Sequence, residues 1–370
     1  MPARLPIACF LAAATALCGP KLLAQATAPP TDEAPPPGLY TLKVYANLAQ
    51  VPTLIISPDQ KPFPPLTPDK FFVSLDGGPP FHPPQLRIEG DDAISLAIVL
   101  DASGDQTHFM DGIADMLSTL AVKDLHPKDR VSIYAMDCNA IQSVDNAPAS
   151  PELIRKAVES VLAAPTLHGQ KKKAACTGSV HLWDIIAHAV DKLGETPSRR
   201  VALVFSLGME SGSVTTLEQL EHLAQHNSVA VFGMRDVDEY MFQRRYRDLS
   251  SRALAGDNNR MYPEDRLSTL AATTGGMVFD NHHIQIQTQL HLFITMLRSR
   301  YIVEFPRPDN SAPGSHLIAI TVPSHSNYLV RYTGASIPLP NPDVLKDPNT
   351  VPSAPSPATF GNRRPTQPKP

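Results

Sequence analysis

Cysteine is scarce in this chain. Four occur in 370 residues, and two of them, Cys9 and Cys18, fall within the first 26. No C-x-x-C pair occurs, so neither a redox dithiol nor a zinc ribbon is indicated. The sequence also lacks a phosphate-cradling glycine loop and a nucleophile elbow. No nucleophile stands with a base, so the chain reads as a non-enzyme. His222 and His226 are four apart but lack the glutamate of an H-E-x-x-H metalloprotease helix. Basic excess is missing too: 32 Lys and Arg face 36 Asp and Glu, for a net charge of −4. That leaves no electrostatic footprint for nucleic acid or an anionic membrane. Beyond the N-terminal region no apolar run reaches the length of a membrane span, and no internal repeat is present.

Residues 1–26 have the form of a secretory signal. Arg4 supplies the positive end, Leu5 to Leu17 the apolar stretch, and Ala24-Gln25-Ala26 a small-x-small cleavage site. This predicts a secreted, periplasmic or cell-envelope protein with no integral membrane segment after cleavage. Cys138 and Cys176 would then be the cysteines of the mature chain, in an oxidising compartment that favours pairing. Pro-rich stretches at 27–38 and 336–370 predict a disordered linker and tail.

The chain is organised around Ile94-Ser-Leu-Ala-Ile-Val-Leu-Asp-Ala-Ser-Gly-Asp105. Its apolar start predicts a strand buried on both faces. Its end places Asp101, Ser103 and Asp105 at alternate positions in the following turn. Oxygen-only side chains at a strand's carboxyl end suit a hard cation such as Mg²⁺ or Mn²⁺. Downstream, strands and helices alternate. A helix is predicted over 107–122, strands at 129–136 and 140–144, a helix opened by Pro151, and a helix over 179–193. A strand at 201–205, a helix at 217–226 and a strand at 229–232 follow, then a helix at 264–274, a strand at 277–279 and a helix at 286–299. This order predicts an α/β fold with a doubly wound, mostly parallel sheet over 94–298. Before it, residues 39–90 read as a small β module in which 71–78 ends in an Asp-Gly hairpin turn with 85–89 as the partner strand. After it, 299–335 carries three β-like stretches that we expect to pair with that module. An arginine-rich insertion, Arg235 to Pro263, interrupts the pattern. His181, Asp184 and His188 share one helix face, where a structural role is favoured over half a zinc site.

Asp101-Ala-Ser-Gly-Asp105 resembles the D-x-S-x-S metal loop of a von Willebrand factor type A domain. The flanks narrow the resemblance. Val44 to Ser57, Leu66-Thr-Pro-Asp-Lys-Phe-Phe-Val-Ser-Leu-Asp-Gly77, Leu270-Ala-Ala-Thr-Thr-Gly-Gly276 and Leu297-Arg-Ser-Arg-Tyr-Ile-Val303 resemble landmarks of exported von Willebrand factor A-related proteins abundant in Acidobacteria. The resemblance implies a metal-ion-dependent adhesion site in which Asp101 and Ser103 match and Asp105 replaces a serine. The family's threonine position is Val180 and its later aspartate position is Leu207. Thr177, Ser179 and Glu210 are the nearby oxygens available as substitute ligands. The site is therefore expected to be degenerate, with weak Mg²⁺ or Mn²⁺ binding or none. In a type A domain Cys138 and Cys176 would both lie on the metal-bearing edge, where a disulfide could pin the loops. The function expected is a non-catalytic, adhesion-type module for an unknown protein partner. A structural component of the cell envelope is the alternative, and a secreted hydrolase is less favoured.

Overall fold

Residues 94–101 are buried without exception, as a central strand covered on both faces requires. The computed structural model describes residues 44–45, 48–57, 65–103, 107–137, 139–164, 180–242, 244, 265–306, 316–325, 327–334 and 350–351. The signal, the linker, most of the insertion and all of the tail except 350–351 lie outside them.

Four strands open the chain: β1 (Val44–Tyr45), β2 (Leu48–Ile56), β3 (Phe72–Leu75) and β4 (Gln85–Ile88). The central part runs β5 (Ile94–Asp101), α1 (Thr107–Met110), α2 (Ile113–Lys123), β6 (Arg130–Met136), β7 (Ala140–Pro148), α3 (Pro151–Leu162) and α4 (Leu182–Gly194). It continues with β8 (Arg199–Phe205), α5 (Leu217–His226), β9 (Val229–Asp236), α6 (Arg266–Thr273), β10 (Val278–Asn281) and α7 (Ile286–Arg298). Four strands close it: β11 (Tyr301–Pro306), β12 (Ile318–Thr321), β13 (Leu329–Tyr332) and β14 (Thr350–Val351).

The main sheet has the order β10-β9-β8-β5-β6-β7. All neighbours are parallel except β7, which runs antiparallel to β6. Counted from β5, this is the 3-2-1-4-5-6 order of doubly wound sheets. Alternation along each strand divides the apolar residues between two layers. Leu96, Ile98 and Leu100 face a layer completed by α2, α3 and α7. Ala97 and Val99 face the layer of α4, α5 and α6. The fold class expected from the sequence is therefore observed.

Three local expectations are corrected. The helix expected over 107–122 is two, because Gly112 adopts φ +68°, a left-handed conformation that breaks the helix and starts α2. The hairpin partner of β3 is not 85–89. Asp76 (φ 52°) and Gly77 (φ 73°) do make the tight turn, but β3 pairs antiparallel with β12 and β4 pairs with β11. The signal in Asp-Gly is local, whereas strand choice was decided by residues more than 200 positions away. Third, Arg235 does not belong to the insertion expected over Arg235 to Pro263. It continues β9 and is buried.

The strands flanking the α/β domain interleave. One sheet has the order β13-β2-β11-β4, and the β12–β3 pair joins it around a separate apolar core containing Val51, Phe71, Val73, Val303, Phe305 and Ile320. N-terminal and C-terminal segments thus form one β clasp beside the α/β domain. Ions join the two parts. Arg199 bonds Gln50 at 2.9 Å and Asp92 at 3.2 Å. Arg87 bridges Asp92 at 2.8 Å and Glu304 at 3.2 Å.

Candidate functional site

Asp101 ends β5, and Ser206 directly follows β8. These two strands are adjacent and parallel. They flank the point at which the strand order reverses, where open α/β sheets form a ligand crevice. Asp101 is fully buried. Its Oδ1 accepts from the Ser103 amide at 3.0 Å and from the Ser103 hydroxyl, and its Oδ2 accepts from the Ser206 hydroxyl. Ser206 Oγ in turn accepts from the Gly208 amide at 3.0 Å. A buried carboxylate is thus held by charge-assisted hydrogen bonds on both oxygens, and those bonds tie the β5 loop to the β8 loop.

The structure joins Asp101 and Ser103 by hydrogen bonds. It adds Ser206, which sequence reasoning missed. The available signal was the first hydroxyl after an apolar strand end. Asp105, Thr177, Ser179, Cys138 and Cys176 lie outside the described residues. Leu207 is buried, 3% exposed, where the resemblance would place an aspartate. Val180 supplies only its backbone, its carbonyl accepting from the Ser211 and Gly212 amides at 3.1 Å. The described residues therefore do not assemble the oxygen cage that a near-octahedral Mg²⁺ requires. Among them no group of three His, Cys, Asp or Glu side chains is arranged to hold a metal.

Glu210 is committed elsewhere. Its Oε1 accepts from the Gly212 and Ser213 amides, both at 2.7 Å, and its Oε2 from the Trp183 amide at 3.0 Å and the Ser213 hydroxyl at 2.7 Å. Asp184 reciprocates from α4, accepting from the Val214 amide at 3.1 Å and the Thr215 amide at 2.8 Å. The loop over 206–216 and the start of α4 thus cap each other. Burial alone would raise the Glu210 pKa, but the Ser213, Trp183 and Gly212 donors outweigh it and hold the carboxyl below its ordinary range. A depressed carboxylate pKa stabilises the fold above the ordinary range, and that stability is lost as pH falls through the lowered folded value. Trp183 is the sole tryptophan, so its emission should report this loss. In an acid titration we expect a change below the usual carboxylate range that is missing from Glu210→Gln. An identical transition in that variant would refute the assignment.

His181 precedes α4 with Nδ1 3.4 Å from Asp184, whereas His188 packs edge-on against Tyr134, so the two histidines serve different contacts. His222 and His226 are exposed.

The edge continues at β9 and β10. Arg235 bonds Asp265 at 2.8 Å and also pairs with Asp280, and its guanidinium lies 3.7 Å over the Tyr240 ring. Burial alone would lower its pKa; the two carboxylates reverse this and raise it. Asp238 joins His282 at 2.8 Å, tying the loop after β9 to that after β10. Val214, Met241, Phe242 and Ile284, all in segments that follow β8, β9 or β10, are large exposed apolar side chains.

Fold and site together define an α/β domain with a hydroxyl-capped aspartate at the switch point of a doubly wound sheet. No protein-family model and no curated protein matches the chain. Solved structures of similar shape include proximal thread matrix protein 1 from the mussel byssus, at 11% identity and TM-score 0.42, covering 60% of this chain and 51% of that one. Another structure of the mussel protein has a zinc-occupied MIDAS motif. An aerotolerance-related membrane protein from Bacteroides fragilis aligns at 12% identity and TM-score 0.38, over 55% of this chain and 99% of that one. BatB from Bacteroides thetaiotaomicron aligns at 14% identity and TM-score 0.35, over 56% and 100%. This chain spans about half the length of the mussel protein chains it matches. Among the described residues no helix is long and apolar enough to cross a membrane.

Proposed function

We infer that this chain is an exported, non-catalytic protein-binding module whose partner docks on the carboxyl edge of the parallel sheet without a metal ion completing the contact. The observation that carries this reading is the Asp101 carboxylate, buried and hydrogen-bonded on both oxygens by Ser103 and Ser206. A carboxylate closed off in this way is withdrawn both from a substrate and from a partner's acidic group. Recognition then falls to the loops around it, which are pre-organised by the Glu210, Asp184 and Arg235 bonds and expose apolar side chains. Export rests on the signal-like residues 1–26.

A photo-crosslinking residue at Val214, 89% exposed, tests the reading in cell-envelope extracts. A discrete protein adduct should form equally with and without EDTA. The same probe at Val122, 68% exposed at the end of α2, should give none. An adduct abolished by EDTA would restore a metal-dependent mechanism. No adduct at Val214 would favour the alternative, a structural envelope component, for which the clasp joining both ends of the chain is the relevant feature.

A further inference from the structure

One helix touches both the switch-point loop and the clasp. At its N-terminal end α6 is fixed by Asp265, whose carboxylate accepts from the Ser268 amide at 3.1 Å and from Arg235 of β9 at 2.8 Å. Its first apolar residue, Leu267, is fully buried and lies directly on Gly208 of the β8 loop. A Cβ at position 208 would stand 2.9 Å from the Leu267 Cβ, so no side chain fits between helix and loop. The Gly208 amide donates to Ser206 Oγ at 3.0 Å, and Ser206 holds Asp101. At the other end Thr274 caps the helix. Its hydroxyl donates to the Leu270 carbonyl at 2.8 Å and accepts from the Val231 amide at 3.1 Å. Its carbonyl accepts from the Thr333 hydroxyl at 3.2 Å, and the two residues form a β bridge just beyond β13. Gly275 (φ +88°) lets the backbone of Tyr332 and Thr333 come close; a Cβ there would lie 3.2 Å from it. Contacts packed this closely transmit a displacement instead of absorbing it. β13, in turn, is four residues long and at the edge of its sheet, where local opening costs least.

We propose that α6 is a strut that conveys the docking of β13 to the loop at 206–208, so that the carboxyl edge takes its partner-binding shape only while the clasp is closed. The proposal rests on the protein-binding reading above and names how that edge is regulated. With β13 docked, Thr333 and the Tyr332 backbone hold the C-terminal end of α6. When β13 leaves β2, Thr274 keeps Val231 but loses Thr333, and α6 is released at the clasp end. Leu267 then shifts on Gly208, and the hydrogen bonds from Gly208 to Ser206 and from Ser206 to Asp101 weaken. The docked and released positions of β13 are the two states that such coupling requires.

Hydrogen exchange of the full chain, resolved by peptide, tests the strut. Val330→Asp places a charge where a side chain packs on the clasp core and should free β13. Exchange over 329–332 should rise, and exchange over 206–208 should rise with it by roughly tenfold or more. Residues 96–100 of β5 should keep the parent's rate. Thr333→Val keeps the volume and removes the hydroxyl, so it should raise exchange over 206–208 by a smaller factor, about two to ten. A parent rate over 206–208 while 329–332 exchanges freely overturns the proposal. If Val330→Asp also raises exchange in β5, Thr333→Val decides alone, and a parent rate over 206–208 in that variant overturns it. The Val214 adduct separates this proposal from the reading beneath it. An adduct formed equally by the parent and by Val330→Asp overturns the proposal and leaves the protein-binding reading standing. No adduct from the parent sinks the protein-binding reading, while the exchange result still decides the strut.

Discussion

Arg300→Met should lower the unfolding free energy by about 3–5 kcal/mol, the cost of leaving a buried charge without its partner. Arg300 donates from Nε and Nη2 to the two oxygens of Glu89, at 2.7 and 2.8 Å, and both residues are buried. Their backbones are also joined, the Glu89 amide donating to the Arg300 carbonyl at 2.8 Å. The pair sits where α7 passes into β11 and β4 into β5. Next to it Arg298 bonds Asp129 at 2.6 Å, and Asp129 accepts from the Ile94 amide at 3.0 Å. In the single variant Glu89 keeps its burial and loses both donors. The double variant Glu89→Leu with Arg300→Met should recover most of the loss, because an apolar pair of similar volume removes the desolvation cost on both sides. Urea unfolding of the three proteins measures this. A loss under about 1 kcal/mol in the single variant would mean that the guanidinium gains no more from Glu89 than an exposed pair would.

Arg300 also marks a limit of sequence reading. Leu297-Arg-Ser-Arg-Tyr-Ile-Val303 could be recognised as a landmark, but its reason is a carboxylate 211 positions away. The α/β domain was legible because its signals are local. Apolar strands alternating with amphipathic helices predict a parallel sheet, and β5 to β10 follow that pattern. The clasp was less legible because strand choice is not written in a strand; Asp76-Gly77 predicted the turn but not β12 as partner. At the candidate site Asp101 and Ser103 were readable from spacing. Ser206 was not, because a single serine after a strand is common and its role appears only once β8 lies beside β5. Glu210 lay close to the right place in sequence, but its oxygens serve amides.

Leu207→Asp should be the most informative substitution at the site. With EDTA present, a carboxylate in place of a side chain 3% exposed should destabilise the fold by several kcal/mol, about 2–5, the range for burying an unpaired polar or charged group. With Mg²⁺ or Mn²⁺ in excess the new carboxylate would stand beside Asp101 and Ser103 at the position that the type A resemblance gives to an aspartate. Metal bound only to the folded state should then return about 2.7 kcal/mol at one hundred times its dissociation constant. The parent chain should show no such metal-dependent rise in melting temperature. A Leu207→Asp protein equally unstable with and without metal would show that the β8 loop does not present position 207 to the Asp101 group. A metal-dependent rise in the parent would mean that its present oxygens already suffice.

The interleaving of the clasp has a consequence for how the chain assembles during synthesis. β2 is flanked by β11 and β13, with Ile56 opposite Leu329 and Val51 opposite Val303. No sheet can form on either side of β2 until the ribosome has passed the whole α/β domain. The α/β domain, by contrast, is built largely from neighbours in sequence and can close while β2 and β3 wait. Long loops add only slowly to closure entropy once their ends are held by a folded body, and the folded domain supplies that body by bringing Glu89 to Arg300. A chain ending before residue 316 would therefore carry a folded centre with β3 stripped of β12 and β2 of β13. Those open edges are sites for association with other chains, so synthesis of β12 and β13 is the step that makes the molecule safe from itself.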